Sequence, residues 1–321
     1  MGKFKDLLLQ KDVIILDGAL GTELENRGYD VSGKLWSAKY LLKKPIAIQE
    51  IHEVYLIAGS DIITTSSYQA SIPSFLEAGL NLEESYNLIK KTVFLAKNAI
   101  ETVWETLPIE EKAKRPYPLI AGSVGPYAAY LSDGSEYTGD YQLSQEKFQE
   151  FHRPRIQALL EAGSDLLAIE TIPNVQETKA ILDLLEKEFP QVEAYLSFTA
   201  QTESTISDGT KIEEIGKLTD SSSQVLALGI NCTAPHLISP LLTRLQSISE
   251  KPFIVYPNSG EIYNGDSQTW SSNPNQENTL VQNSQLWREL GARLLGGCCR
   301  TRPTDIKELA DFFRNKNKAN N

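Results

Sequence analysis

The stretch Val225-Leu-Ala-Leu-Gly-Ile-Asn-Cys232 is a nearly continuous apolar run that ends on a cysteine. Apolar residues that follow one another without alternation are typical of parallel strands covered on both faces. Seven more runs of this kind occur along the chain: Val13–Asp17, Asp61–Thr65, Leu119–Gly122, Asp165–Glu170, Glu193–Phe198, Phe253–Tyr256 and Arg293–Gly296. The sequence therefore predicts eight buried strands.

Segments with helical apolar spacing fill the intervals between and after these runs. They are Ile48–Ala58, Leu82–Trp104, Ser144–Ala162, Gln176–Phe189, Ile212–Leu218, Pro235–Ile248, Asn278–Leu290 and Thr304–Phe313. Eight successive βα units predict an α/β protein with a single-domain (β/α)8 TIM barrel. We assign residues 1–314 to the barrel and 315–321 to a disordered polar tail. A doubly wound open sheet is the alternative, but it usually has fewer strands and a glycine-rich phosphate turn, and Gly18-Ala-Leu-Gly21 is not a GxGxxG motif.

Charge and composition exclude several classes of function. The net charge of −11 disfavours nonspecific nucleic-acid binding, which needs basic patches. No apolar stretch approaches the roughly 18 residues of a membrane span, and the N-terminal residues lack the apolar core of a secretory signal. Together with the odd number of cysteines, these features predict a protein of the reducing cytoplasm.

The three cysteines of the chain all follow predicted strands. Cys232 ends one run, and the adjacent Cys298 and Cys299 end another. Three thiolate ligands leave an open position on a tetrahedral zinc ion, as catalytic zinc requires. The alternatives are three inert core cysteines, or a closed structural site in which His236 is the fourth ligand. His52 and His152 lie within helical segments and are interpreted as structural.

Further candidate site residues lie at the same strand ends, where TIM barrels carry their active sites. Asp17 and Glu170 are suited to hold an ammonium group, and the main chain from Gly18 through Ala19 to Thr22 can offer N–H groups to a carboxylate. A soft three-thiolate zinc ion suits a substrate thiolate better than water. A thiol amino acid is therefore the expected substrate.

The strand ends together resemble the homocysteine S-methyltransferase family. The matching stretches include Leu16–Leu24, Ala58–Ala70, Ala168–Thr171, Gly229-Ile-Asn-Cys232, Tyr256–Glu261 and Gly296-Gly-Cys-Cys299. The resemblance implies a zinc-dependent methyltransferase that binds homocysteine through the three cysteines, with its amino group on Asp17 and Glu170. It also implies two partners, homocysteine and a methyl donor. Asn231, Ser67 and Asn258 lie within these stretches and are further candidate contacts.

The branch of the family sets the methyl donor. The stretches around Tyr68 and Glu261 most resemble the branch that uses S-methylmethionine, with S-adenosylmethionine as a second donor. Trp36, Tyr68 and Tyr127 are candidates to lie over the donor sulfonium through cation–π attraction, and Glu261 can hold its amino group. The chain lacks the C-terminal dimerisation arm of betaine-using enzymes, which predicts a monomer.

Three other functions remain as alternatives. The first is a betaine-using homocysteine methyltransferase. The second is a zinc hydrolase on the same barrel, which the cysteine-only ligand set disfavours. The third is a zinc- or redox-sensing barrel without catalysis, in which Cys298 and Cys299 oxidise and release the metal.

Overall fold

A computed structural model describes residues 2–32, 35–264, 269–271 and 278–319. Eight parallel strands form one sheet in the order β1-β10-β7-β6-β5-β4-β3-β2. These strands are β1 (Ile14–Ile15), β2 (Ile62–Thr64), β3 (Leu119–Val124), β4 (Leu166–Ile172), β5 (Ala194–Phe198), β6 (Val225–Asn231), β7 (Phe253–Tyr256) and β10 (Ala292–Leu295). A separate antiparallel pair, β8 (Ile262–Asn264) and β9 (Thr269–Ser271), lies between β7 and β10 in the chain. All eight predicted strands are confirmed.

The helices of the described residues are as follows: α1 (Lys3–Gln10), α2 (Leu20–Asn26), α3 (Tyr40–Lys43), α4 (Pro45–Ala58), α5 (Ile72–Glu77), α6 (Leu82–Thr106), α7 (Ile109–Lys112), α8 (Tyr127–Leu131), α9 (Gln145–Glu161), α10 (Val175–Glu188), α11 (Ile212–Asp220), α12 (Pro235–Gln246), α13 (Leu280–Glu289) and α14 (Pro303–Ala319). Two short 3-10 helices, Trp36–Lys39 and Ser135–Tyr137, complete them. Ser144 caps α9 as predicted, since its side chain accepts a hydrogen bond from the Lys147 amide. None of the described helices is both long and apolar enough to cross a membrane.

Side chains help to close the barrel between β1 and β2, and Asp61 makes two of the contacts. The Asp61 amide donates to the Ile15 carbonyl oxygen at 2.7 Å, and the Ile15 amide donates to the Asp61 carboxylate at 2.9 Å. Asp61 is fully buried, so its carboxylate replaces a ladder hydrogen bond that water cannot reach. The predicted TIM barrel is therefore confirmed, with side chains helping to complete its ring.

Helix α1 covers the N-terminal end of the barrel. Phe4 packs edge-on against Tyr195, which belongs to the apolar cluster inside the barrel. The Glu193 carboxylate, just before β5, accepts hydrogen bonds from the Phe4 and Lys5 amides. One end of the barrel is thus closed, and the carboxyl ends of the strands remain for the site.

The last helix is longer than the sequence predicts. α14 continues through Ala319, beyond the predicted end of the helix at Phe313. The disordered tail over residues 315–321 stays a prediction, and the final two residues lie outside the described part of the chain. Leu309 and Phe313 of this helix are buried against the barrel. Burial of these two side chains holds α14 against the barrel. The helix then continues into a polar segment that has no apolar pattern of its own.

Candidate active site

The three cysteines meet at the carboxyl ends of the strands. Cys232 directly follows β6, and Cys298 and Cys299 follow β10, on the far side of β7. The three sulfur atoms lie within 4.8 Å of one another, and the Sγ atoms of Cys232 and Cys299 are 3.8 Å apart. Two sulfurs of a tetrahedral zinc site with Zn–S bonds of about 2.3 Å lie about 3.8 Å apart. The sulfur cluster therefore has dimensions that suit zinc.

Two of these cysteines are joined in the structure. Cys232 and Cys298 form a disulfide, and Cys299 is free. The joined pair is not the adjacent Cys298 and Cys299, whose oxidation belongs to the alternative of a redox-sensing barrel. Adjacent Cα atoms lie about 3.8 Å apart, below the usual disulfide range, whereas the Cα atoms of Cys232 and Cys298 are 5.4 Å apart. All three sulfurs can act as thiolate ligands only after this bond is reduced.

Two carboxylates, the half-buried Asp17 and the buried Glu170, lie in the same cavity. Asp17 accepts hydrogen bonds from the Thr64 amide at 2.7 Å and from the Thr64 hydroxyl at 3.0 Å. Glu170 accepts from the Ser123 hydroxyl and, at 3.1 Å, from the Tyr256 hydroxyl. Burial raises the pKa of Asp17 to about 7, against these hydrogen bonds, and burial also raises the pKa of Glu170. A bound cation would relieve the cost of both charges.

The cavity that holds these groups is formed by residues from several strand ends and loops. Its walls include Gly18, Ala19, Thr22, Thr64, Ser66, Tyr68, Thr171, Tyr256 and Arg300, besides the two carboxylates and the three cysteines. His52 and Tyr55 of α4 line one side. Burial lowers the pKa of His52 to about 4, so its ring is neutral near pH 7. The cavity is therefore acidic and has no charged histidine.

Three residues beside the cavity hold left-handed backbone conformations without being glycine. They are Thr171 (φ 63°), Cys232 (φ 46°) and Arg300 (φ 68°). Such conformations cost about 1–3 kcal/mol each and persist where neighbouring contacts enforce them. Asn231 does so for Thr171, because its side chain accepts from the Thr171 amide at 2.9 Å and donates to the Thr171 hydroxyl at 2.7 Å. The strain turns the chain sharply beside Glu170 and the sulfurs.

A loop after β3 adds a further wall. Its 3-10 helix Ser135–Tyr137 places Glu136 and Tyr137 in the cavity lining. The neighbouring Cys299 thiol is the main cause of a raised pKa at Tyr137, so this ring lies at the sulfur cluster. The Glu136 backbone carbonyl accepts from the Thr199 hydroxyl at 2.8 Å, which ties the loop to the end of β5.

A buried polar network supports this loop from behind. Glu177 of α10 accepts hydrogen bonds from the Tyr127 amide, the Tyr141 hydroxyl and the His152 ring. Arg155 donates to Nδ1 of His152 at 3.0 Å. Because arginine only donates, Nδ1 accepts, and Nε2 must carry the proton that His152 donates to Glu177. We call Glu177, Tyr141, His152 and Arg155 the loop anchor.

Comparison with known proteins agrees with this arrangement. The family model described as homocysteine S-methyltransferase matches residues 14–313. A homocysteine S-methyltransferase of Bacillus subtilis is 45% identical over 98% of this chain and 98% of its own length. One from Escherichia coli is 46% identical over 94% of this chain and 96% of its own length.

Solved structures agree as well. The metallated crystal form of the homocysteine methyltransferase MmuM from Escherichia coli superposes with a TM-score of 0.85 at 42% identity, covering 96% of this chain and 99% of that one. An oxidised form of the same protein has the same TM-score at 43% identity and the same coverage. The chain belongs to the homocysteine S-methyltransferase family.

Nine residues that the sequence proposes for a homocysteine S-methyltransferase site line the cavity. They are Cys232, Cys298, Cys299, Asp17, Gly18, Ala19, Thr22, Glu170 and Tyr68. Ser67 and Asn231 lie one layer behind the cavity wall. Ser67 donates to the Ser123 carbonyl oxygen at 2.8 Å, and Ser123 in turn binds Glu170. These two residues position lining groups, since neither is itself among the residues of the wall.

Three proposed contacts lie elsewhere. Tyr127 starts α8, and its ring packs in an aromatic cluster with Phe148, Phe151 and Tyr141, away from the cavity. Asn258 lines a separate cavity beside Thr279 and Trp287. Glu261 forms an ion pair with Arg300 at 2.6 Å and is absent from the lining. One proposed contact, Trp36, is not placed. Trp36 begins a 3-10 helix, but its side chain lies outside the described part of the structure.

The sequence interpretation also missed several residues of the wall. Glu136, Tyr137, Tyr256, Thr64 and His52 line the cavity. Tyr256 ends one predicted strand and Thr64 lies next to the end of another, so the same rule of strand ends could have selected them. Glu136 and Tyr137 lie within a long polar loop, and only the folded loop brings them to the cysteines. His52 was interpreted as structural because it lies within a helix.

Proposed function

We propose that this chain transfers a methyl group from S-methylmethionine to the sulfur of homocysteine, giving two molecules of methionine. One observation carries the proposal: three cysteine sulfurs and the carboxylates of Asp17 and Glu170 line one cavity. Thiol-binding and ammonium-binding groups in one cavity match the two ends of a thiol amino acid. S-adenosylmethionine, also a sulfonium, is a second donor of the same chemistry.

The sulfur cluster is suited to hold zinc. Its donor set is entirely thiol, and the spacing of 3.8 Å between two of its sulfurs fits a tetrahedral site. When bound, zinc keeps a substrate thiol deprotonated near neutral pH. Cys232, Cys298 and Cys299 would be the ligands in the reduced protein, and the open position would face the cavity that the substrate enters.

The amino-acid end of homocysteine would bind at the carboxylates of the same cavity. Asp17 and Glu170 face the ammonium group, whose charge offsets the burial of both carboxylates. The main chain at Gly18 and Ala19 lines the same wall, and α2, which follows, has no side-chain cap. Its first N–H groups are therefore suited to the substrate carboxylate.

The chemical step needs little from the protein beyond placement. The homocysteine thiolate forms a bond to the methyl carbon while the bond from that carbon to the sulfonium breaks. The electron pair stays on the leaving sulfur, which becomes a neutral thioether, so no general acid is required. The thiol proton has by then passed to solvent. Orienting the two sulfurs and the methyl group in line would supply most of the acceleration.

A methyl-transfer assay tests the proposal. Reduced, zinc-loaded protein is given homocysteine with S-methylmethionine, S-adenosylmethionine or betaine, and methionine is measured. We expect the highest kcat/KM with S-methylmethionine. A preference for betaine would replace the proposed donor with the alternative one. Absence of turnover with all three, despite bound zinc, would contradict the proposal and favour the sensing role that the disulfide also permits.

The cysteines of the site also bear on the cellular compartment in which the enzyme would act. The cysteines must stay reduced to bind zinc, which suits the cytoplasm. We also expect the enzyme to act as a monomer, which sedimentation velocity can measure.

A further inference from the structure

One carboxylate of the cavity has no partner for one of its oxygens. Oε2 of Glu136 is buried without a hydrogen-bond donor, whereas Asp17 and Glu170 each accept two hydrogen bonds from the protein. A buried acceptor that loses its donor costs about 1–3 kcal/mol, and more when it is charged. Burial raises the pKa of Glu136, in keeping with this cost. The oxygen is therefore available to a ligand.

A second unpartnered group lies in the same cavity. Ser66, at the end of β2, is 5% exposed, and its hydroxyl oxygen has no hydrogen-bond partner. Ser66, Glu136 and Tyr68 all belong to the cavity wall. The Glu136 charge is the main cause, after burial, of a raised pKa at Tyr68, so the carboxylate lies close to that ring. The cavity wall thus contains two oxygens without a hydrogen-bond partner, one from Glu136 and one from Ser66, together with the ring of Tyr68.

This wall also adjoins the sulfur cluster. Tyr137, the residue after Glu136, lines the same cavity as Cys299. Asp17 and Glu170 come from β1 and β4, whereas Glu136 comes from the loop after β3. A second substrate whose reactive group approached the cysteines along the loop would therefore have Glu136 within its reach.

We propose that Glu136 binds the α-ammonium group of the methyl donor and so selects amino-acid sulfonium donors over betaine. The inference rests on the proposed function, because it assumes that the second substrate of this cavity is a methyl donor. An unpartnered oxygen needs a hydrogen-bond donor, and a sulfonium has none, whereas a primary ammonium has three. Betaine has no N–H group, so its binding would leave the Glu136 oxygen without a hydrogen-bond donor.

Steady-state kinetics of Glu136→Gln tests the proposal. The variant keeps the size of the side chain and removes its charge. We expect kcat/KM for S-methylmethionine to fall by about 10- to 100-fold, as for the loss of a charged hydrogen bond. The KM for homocysteine and the zinc content should be unchanged. Glu150→Gln makes the same change in net charge at an exposed position of α9 and should resemble wild type.

A donor analogue separates recognition of the ammonium from a general effect on the site. The deamino analogue of S-methylmethionine keeps the sulfonium and the carboxylate but lacks the ammonium. Its kcat/KM should be low with wild type and unchanged or higher with Glu136→Gln. An equal loss for both donors, or no loss for S-methylmethionine, would overturn the proposal.

Direct binding distinguishes failure of this proposal from failure of the proposed function. If wild type transfers no methyl group, calorimetry with S-methylmethionine still compares wild type and Glu136→Gln. Weaker binding by the variant would support the ammonium site without the reaction. Equal binding, or none by either protein, would overturn it.

Discussion

At the scale of the residue, Asp17 is a carboxyl group whose surroundings disfavour its charge. Its pKa is about 7, well above the ordinary value of 3.8, chiefly because it is buried. The unfolded chain ionises this group from about pH 4 upwards, whereas the folded protein does so only near pH 7. The folded state therefore binds more protons between these values, and Asp17 lowers stability as the pH rises from about 4 to 7.

Asp17→Asn should therefore stabilise the protein most above pH 7. The difference in unfolding free energy between variant and wild type should be small near pH 4 and grow to the order of 4 kcal/mol above pH 7. Asparagine can still accept from the Thr64 amide. Thermal unfolding between pH 5 and 8 measures the difference.

The exposed Asp311→Asn is the control for this experiment, because it removes a carboxylate from the surface of α14. Its effect on the melting temperature should not depend on pH over this range. A constant difference between Asp17→Asn and wild type from pH 5 to 8 would show that the buried charge does not limit stability.

Single residues also show how far the sequence determines the site. Asp17, Glu170 and Cys232 could be chosen because each directly ends a predicted strand, and the barrel brings such positions to one rim. Tyr127 follows β3 after a short connection, but α8 begins there and directs its ring into an aromatic cluster. The first turn after a strand thus decides where a side chain points, and local sequence does not specify that turn.

At the scale of the element, the segment between β3 and α9 depends on the loop anchor. The Tyr141 hydroxyl donates to Glu177, which is fully buried. This contact holds the far end of the segment that carries Glu136 and Tyr137. Its loss would leave a buried carboxylate with one donor fewer, at a cost of about 1–3 kcal/mol.

Tyr141→Phe should loosen the loop without disturbing the homocysteine end of the cavity. We expect faster proteolytic cleavage within residues 127–142 and a several-fold higher KM for the methyl donor, with little change in the KM for homocysteine. Limited proteolysis and steady-state kinetics measure these effects.

Tyr130→Phe provides a matched control in the same loop. Its hydroxyl also donates to a carboxylate, that of Glu77, but at an exposed position where water can replace the contact. This variant should behave like wild type. If the two variants were cleaved at the same rate, the loop anchor would have no special role.

The sequence predicts strands and long helices well where a pattern of buried apolar residues marks them. All eight barrel strands follow from apolar runs, and the eight long helices begin and end within a few residues of the predicted bounds, except at the start of α4 and the end of α14. The two short helices between β3 and α9 could not be predicted. Polar contacts of individual side chains, such as Asp133 with the Ser135 amide, shape that segment, and these contacts have no periodicity.

At the scale of the whole molecule, the sulfur cluster joins strands that are not neighbours. β7 lies between β6, which leads to Cys232, and β10, which leads to Cys298 and Cys299. A metal ion bound by all three would link these strand ends in the folded state only. Ligands that bind only the folded state stabilise it by mass action.

Zinc should therefore raise the melting temperature of the reduced apoprotein. Zinc at about a thousand times its dissociation constant adds about 4 kcal/mol. Replacing Cys232, Cys298 or Cys299 with Ala should abolish both the shift and the bound metal while the barrel stays folded. Calorimetry with chelated and zinc-loaded protein measures the effect.

Oxidised protein is the control for the metal experiment. With Cys232 and Cys298 joined, added zinc should not change the melting temperature until a reductant is supplied. A full zinc shift in any single cysteine variant would contradict a site built from all three sulfurs.

The placement of the cysteines also determines when a newly made chain can acquire metal. A nascent chain that ends before β10 contains Cys232 alone, and one cysteine is a weak competitor for cellular zinc. Even the complete chain gains its ligand set only when β10 docks between β7 and β1. Metal binding at this site would therefore require β10 to be docked, and a chain that has not yet reached β10 would lack two of the three ligands.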